Sequence, residues 1–351
     1  MTFATTKRPP PPTLKMPPRT QTTDGSPRCV GIEIEFGGLT LEQTATLLAD
    51  HFNGKLSDPG RYETLIRGDP AGDWRVELDF ELLKELGRRE QPPDAAEMPL
   101  ETLIKDGVEQ MLKLIAEPLV PIEIISPPLP LSRLNEVQQL IIRLREAGAT
   151  GTGENPIHAF GLQLNPQPPA LDTPSLLGLF QAYLCLADWL RKRADIDLTR
   201  RLTQFAEPFP RAYVCQVLAP DYQPDQDQLI DDYLRANPTR NRELDLLPLF
   251  AHLDAPRVQQ QIDDPRVKAR PTFHYRLPNS EIDQPDWGLH LAWNDWVEVE
   301  SLAADPERLS TMRTAYLAHL EQPLSRLLSP GAEDWAQKSA HWLTDQALAN
   351  N

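Results

Sequence analysis

Cysteine is scarce: Cys29, Cys185 and Cys215 are the only three, with no CxxC spacing and one left over from any pairing scheme. That excludes a disulfide scaffold and a thiolate zinc site, and it suits a reducing cytosol. Apolar stretches of membrane-spanning length are also missing; the most hydrophobic window, residues 176–190, holds Gln181 and Asp188 and runs into Arg191. The first 27 residues hold no apolar signal core, so a cytoplasmic protein with no membrane partner is expected. Basic residues number 35 against 51 acidic ones, for a formal charge of -16, and they form no long block. Nucleic acid is therefore not expected as a partner, although a local basic pocket remains compatible with the composition. No HxxxH pair, GxxxxGK[ST] loop, GxGxxG turn or GxSxG elbow occurs, which removes the usual metalloprotease, P-loop, dinucleotide and serine-hydrolase readings.

What the chain does hold is proline, 36 of them, and enough apolar residues (40%) for one large domain or two ordinary ones. Residues 1–27 combine Pro, Thr and basic residues without apolar periodicity and read as a flexible extended arm. A capping box from Thr40 to Gln43 opens a helix that Gly54 ends. Strands are expected in CVGIEIEFGG (29–38), GRYETLI (60–66), GDWRVELDFELL (72–83), LVPIEIISPPLP (119–130) and IHAFGLQLNPQ (157–167). From Thr173 and Pro174 the chain turns helical, with further helices near 226–236, 243–253, 306–328 and 332–348; RPTFHYRLP (270–278) is the one late strand. This order favours an α+β fold over a doubly wound parallel sheet. The expected organisation is a core domain over 28–305 with a helical insert over about 174–265, followed by C-terminal helices over 306–351.

The chemistry concentrates where carboxylates interrupt apolar strands. Glu33 and Glu35 alternate with Val30, Ile32, Ile34 and Phe36, so a strand turns both glutamates to one face, roughly 7 Å apart. Glu77 or Asp79 does the same on a later strand, and Glu123 stands among Ile122, Ile124 and Ile125, where an unpaired carboxylate is costly. A solvated sheet face accounts for such alternation on any single strand. Together, however, these hard oxygen ligands suit Mg²⁺ or Mn²⁺. Lys268, Arg270, His274 and Arg276 form a basic cluster, with His274 and Arg276 on one strand face; guanidinium groups there would neutralise the phosphate oxygens that a metal leaves uncovered. Gln163 and Asn165 share one side of another strand. Trp287, Trp293 and Trp296 have helical spacing and read as core.

The segments GIEIEF, WRVELD, EIISPPL, FGLQLNP and RPTFHYRLP, in this order, resemble the amidoligases, relatives of glutamate-cysteine ligase and glutamine synthetase in the carboxylate-amine ligase superfamily. The resemblance covers roughly residues 29–305. It implies a curved, mainly antiparallel sheet of glutamine synthetase-like type whose concave face binds ATP and divalent metals, with helices on the convex side. It also implies metal ligation by Glu33, Glu35 and Glu123, with Asp79 preferred to Glu77 because it completes W-x-V-x-x-D. Gln163 and Asn165 fall where relatives often carry histidines near the nucleotide or metal. His274 stands where the family usually has a glutamate and is a candidate metal ligand, and Arg276 is retained; Arg270 and Arg276 would contact the transferring phosphoryl group. The implied reaction joins a small-molecule or peptide carboxylate to an amine at the expense of ATP. A non-catalytic carboxylate or nucleotide binder and a phosphotransferase to nitrogen are the alternatives. The oligomeric state is not fixed by the sequence.

Overall fold

In β1 (Cys29–Phe36), Val30, Ile32, Ile34 and Phe36 are at most 1% exposed while the residues between them are half-buried. The strict period of two makes this strand the spine of a sheet, because one face must be covered by apolar partners and the other need not be. The computed structural model describes residues 13–57, 62–78, 121–153, 160–194, 206–322 and 334–349. Within them β1 is joined by β2 (Lys55–Ser57), β3 (Glu63–Arg67), β4 (Trp74–Leu78), β5 (Ile122–Ile125), β6 (Leu129–Pro130), β7 (Leu162–Pro166), β8 (Leu244–Asp245) and β9 (His274–Tyr275). The strand order is β2-β3-β4-β5-β1-β7-β9-β8, with β6 pairing the start of β1. Every ladder is antiparallel and the sheet does not close on itself. The fold is α+β.

Ten helices accompany this sheet among the described residues: α1 (Leu41–Phe52), α2 (Leu134–Glu146), α3 (Thr173–Arg193), α4 (Arg211–Leu218), α5 (Gln226–Ala236), α6 (Leu247–Leu253), α7 (Ala255–Gln259), α8 (Leu289–Ala303), α9 (Pro306–Leu320) and α10 (Trp335–Ala349). Helix α1 starts from the Thr40 capping box, ends at left-handed Asn53, and packs on β3 and β4. Helix α3, mostly apolar around its circumference, is buried among α8, α9 and α10. Trp293 and Trp296 of α8 are core residues, and the Trp296 ring lies 5.6 Å from that of Tyr275 on β9. Two local expectations change. The helix foreseen over 243–253 gives its first residues to strand β8, because Leu244 and Asp245 pair with β9. The arm is also not loose over residues 13–27: Leu14 is buried, Trp293 donates to the Lys15 carbonyl at 2.8 Å, and Lys15 pairs with Glu298.

A buried ion pair ties β1 to α8. Arg28, 1% exposed, meets Glu300, 4% exposed, through two parallel hydrogen bonds of 2.7 Å, and Trp296 Nε1 donates to the same carboxylate at 2.7 Å. The remaining guanidinium donors reach the Gln167 and Arg19 carbonyls. Such a pair contributes little over an apolar substitute, yet removing one member strands a charge in the core. Glu300→Gln is therefore expected to lower the unfolding free energy by about 3–5 kcal/mol, measured by urea denaturation; a loss under about 1 kcal/mol, the scale of a surface pair, would contradict this role.

Candidate active site

Antiparallel registers decide which polar residues meet on the face opposite the core. Glu35 on β1 pairs with Glu123 on β5, Glu123 pairs with Glu77 on β4, and Glu77 pairs with Glu63 on β3. Four glutamates thus stand abreast across four adjacent strands, with directly opposite Cβ atoms roughly 4.5–5.5 Å apart. Glu63, at the β3 end of the row, is exposed, whereas Glu35, Glu77 and Glu123 are half-buried. Glu35 accepts a hydrogen bond of 2.6 Å from the Gly161 amide, and Glu77 lies 3.2 Å from Arg75. Like charges directly opposite one another oppose pairing, so this row stores a demand for positive charge.

Two residues back along β1, a second row begins with Glu33, which pairs with Gln163 on β7. Leu164 pairs with Tyr275, and the antiparallel register then places Arg276 beside Gln163 and His274 beside Asn165. The side chains link in one direction. Arg276 Nε donates to Gln163 Oε1 at 2.9 Å; Gln163 Nε2 donates to Asn165 Oδ1 at 2.9 Å; Asn165 Nδ2 donates to Glu33 Oε1 at 2.7 Å. Arg270 lies 3.9 Å from the same Glu33 oxygen. A guanidinium can only donate and a carboxylate can only accept, so the two ends fix both amide orientations. Gly31, opposite Asn165, leaves the room for this amide: a Cβ at Gly31 would meet Asn165 Cβ and Nδ2 at 3.3 Å.

The same logic settles His274. Gln163 Nε2 also lies 3.2 Å from His274 Nδ1, which must accept, so the proton of the neutral ring sits on Nε2. Burial, and then the charges of Arg276, Arg270 and Arg240, hold this imidazole well below its ordinary pKa. As arranged, the buried His274 ring carries an N–H at Nε2, which has no protein partner among the described residues. Asp245, missed in the sequence, pairs with His274 from β8 and is fully buried. Its signal was one that singled out Glu123, a lone carboxylate in an apolar run, LDLLPLF. Arg240, also missed, lies 3.8 Å from Asp245.

Glu33, Glu35, Glu123, Gln163, Asn165, His274 and Arg276 all lie on one sheet face, and Arg270 reaches it through Glu33. Asp79 lies outside the described residues; Glu77, the alternative set aside for it, is the residue opposite Glu123. Among the described residues no group of three or more His, Cys, Asp or Glu side chains is gathered tightly enough to hold a metal ion alone.

Burial raises the Asp245 carboxyl to about 6, against the opposing pull of Arg276, the Leu247 amide and Arg240. Between about pH 4 and 6 the folded protein keeps a proton that the unfolded chain has released, so this group's contribution to stability falls as pH rises through that window. Relative to Asp245→Asn, the wild type should lose on the order of 2–3 kcal/mol between pH 4 and pH 7, read from denaturant midpoints. A gap between the two proteins that stays constant with pH would contradict the burial of an ionising carboxylate here.

Residues 26–298 match the family model described as "Putative amidoligase enzyme". No curated protein and no solved structure matches the chain. The match spans well over half of the 351 residues and covers all nine strands and the whole face described above. The chain belongs to the amidoligase family.

Proposed function

We propose that this protein is an ATP- and Mg²⁺-dependent carbon-nitrogen ligase that joins a carboxylate to an amine through an acyl phosphate, on a sheet of glutamine synthetase-like type. The family points to an enzyme of ligase type. The observation that carries the finer reading is the division of one sheet face into an acidic half, Glu35, Glu123 and Glu77, and a basic half, Arg240, Arg270 and Arg276. Mg²⁺ is commonly held by one or two carboxylates together with substrate phosphates, with no all-protein cage, and the opposed pair Glu35 and Glu123 fits that pattern. When bound, the metal would offset the repulsion between an anionic nucleophile and the phosphate chain. Glu33, and Asp79 beyond the described residues, would complete the acidic half.

In the first step a substrate carboxylate oxygen attacks the γ-phosphorus and ADP leaves; in the second the amine nitrogen attacks the acyl carbon, phosphate leaves and the nitrogen gives up a proton. Arg270 and Arg276 would donate to the phosphoryl oxygens as charge shifts onto them. Gln163 and Asn165 orient Arg276 and Glu33 toward one another and so fix the border between the two halves. The substrates belong to the small-molecule or peptide carboxylates and amines. No helix among the described residues is long and apolar enough to cross a membrane, and all three cysteines are unbridged thiols, in keeping with a reducing cytosol as the compartment.

Incubation with ATP, Mg²⁺ and a metabolite extract should release ADP and yield a new amide detectable by mass spectrometry. Glu33→Gln and Glu123→Gln should abolish release with the far-UV spectrum unchanged, and Arg270→Ala or Arg276→Ala should slow it by about 10²–10³-fold. Undiminished turnover in the glutamine variants would refute the assignment, and a stable phosphorylated product with no amide would indicate phosphotransfer to nitrogen.

A further inference from the structure

Nine buried side-chain polar atoms have no hydrogen-bond partner among the described residues, and four of them fall at one edge of the sheet: Arg240 Nε, Asp245 Oδ2, Thr272 Oγ1 and His274 Nε2. Buried polar groups are ordinarily satisfied, so a cluster of orphans indicates a partner that is not part of the fold. These atoms belong to β8, β9 and the segments leading into them. Asp245 and His274 are directly paired, Arg240 Nε stands 3.8 Å from Asp245 Oδ2, too far for a hydrogen bond, and Arg276 donates to the Arg240 carbonyl at 2.8 Å.

Three of the four orphans can donate; the fourth, Asp245 Oδ2, accepts when ionised and donates only while its carboxyl keeps the proton that burial favours up to about pH 6. His274 Nε2 carries a proton, because Nδ1 is committed to accepting from Gln163, whose orientation Arg276 fixes. Arg240 Nε is a donor by nature, and the Thr272 hydroxyl can donate. Arg240, Arg270 and Arg276 all bear on the His274 ring, against a single directly paired carboxylate, Asp245. A group with lone pairs and negative charge fits the three donors, and its charge favours the protonated form of the Asp245 carboxyl beside them.

We propose that the β8–β9 edge is a buried oxyanion subsite, in which His274 Nε2–H and the Arg240 guanidinium donate to an oxygen of a phosphoryl or carboxylate group. The subsite stands independently of amide formation: it requires an anion, and neither turnover nor a metal. In the ligase reading it would hold either a nucleotide phosphate or the acid substrate, and the two sources are separable by probe.

The test is nitrogen NMR of the full chain with ¹⁵N-labelled histidine, at pH 7 and without divalent metal, titrated with inorganic phosphate and separately with acetate. His274 should show a protonated Nε2 and a bare Nδ1, and one anion should shift the Nε2–H resonance saturably; phosphate identifies a phosphoryl subsite and acetate a carboxylate subsite. His274→Asn keeps an acceptor near the Nδ1 position and removes the Nε2 donor, so it should weaken that anion by about 10- to 100-fold. His274→Gln restores an N–H near Nε2 and should keep affinity within a few-fold of wild type. A proton on Nδ1, an Nε2–H indifferent to both anions, or loss of that proton on adding Mg²⁺ alone would each overturn the proposal; the wild-type titration decides even if a variant fails to fold.

Discussion

The organisation of the site rests on one constraint, the register of three antiparallel strands that sets Glu35, Glu123 and Glu77 side by side. A slip of one residue in either ladder would turn every side chain of a strand to the opposite face. On β1 that would drive Glu33 and Glu35 into the core and expose Val30, Ile32, Ile34 and Phe36, each at most 1% accessible as folded. Apolar burial at about 25 cal/mol per Å² is thus what holds mutually repelling carboxylates abreast. The repulsion itself is small beside the core that enforces it, and it becomes an asset once a cation and its phosphates arrive.

The other half of the face works by polarity of donors. From Arg276 through Gln163 and Asn165 to Glu33, each hydrogen bond fixes the direction of the next, so two neutral amides hold a guanidinium and a carboxylate at a set separation. Deleting an inner amide would leave each of its neighbours short of one hydrogen bond, a cost of up to about 1–3 kcal/mol where that neighbour is buried, as Asn165 is. The same chain fixes the tautomer of the neutral His274 ring, with Nδ1 accepting from Gln163 and the proton on Nε2. Far from the site, Arg28 and Glu300 anchor the start of β1 to α8, which connects the position of Glu33 and Glu35 to the helical layer.

Much of this was legible in the sequence because period-two alternation is local. The strands bearing Glu33, Glu35, Glu123, Gln163 and Asn165 follow from it, as does the shared face of His274 and Arg276. Register was not legible. Nothing local says that Glu77 stands opposite Glu123, since β4 and β5 are more than forty residues apart, and the choice of Asp79 over Glu77 followed a motif in place of pairing. Strand β8 was hidden for a related reason: Leu244 and Asp245 open an apolar run that suits a helix, and only the tertiary partner β9 makes them extended. The role of His274 depends on which atom of Gln163 faces it, which no sequence pattern encodes. The arm escaped because Thr13 to Lys15 are held through main-chain groups by Trp293 and Asn294, contacts that composition does not signal.

Calorimetric titration of ATP into the full chain, with Mg²⁺ and again in EDTA, tests the shared acidic and basic face most directly. Binding should be saturable with Mg²⁺ and weaken about tenfold or more without it, since phosphates brought alone to Glu35 and Glu123 meet only repulsion. Equal affinity in the two titrations, or no binding in either, would contradict a face built to take a metal-bound nucleotide.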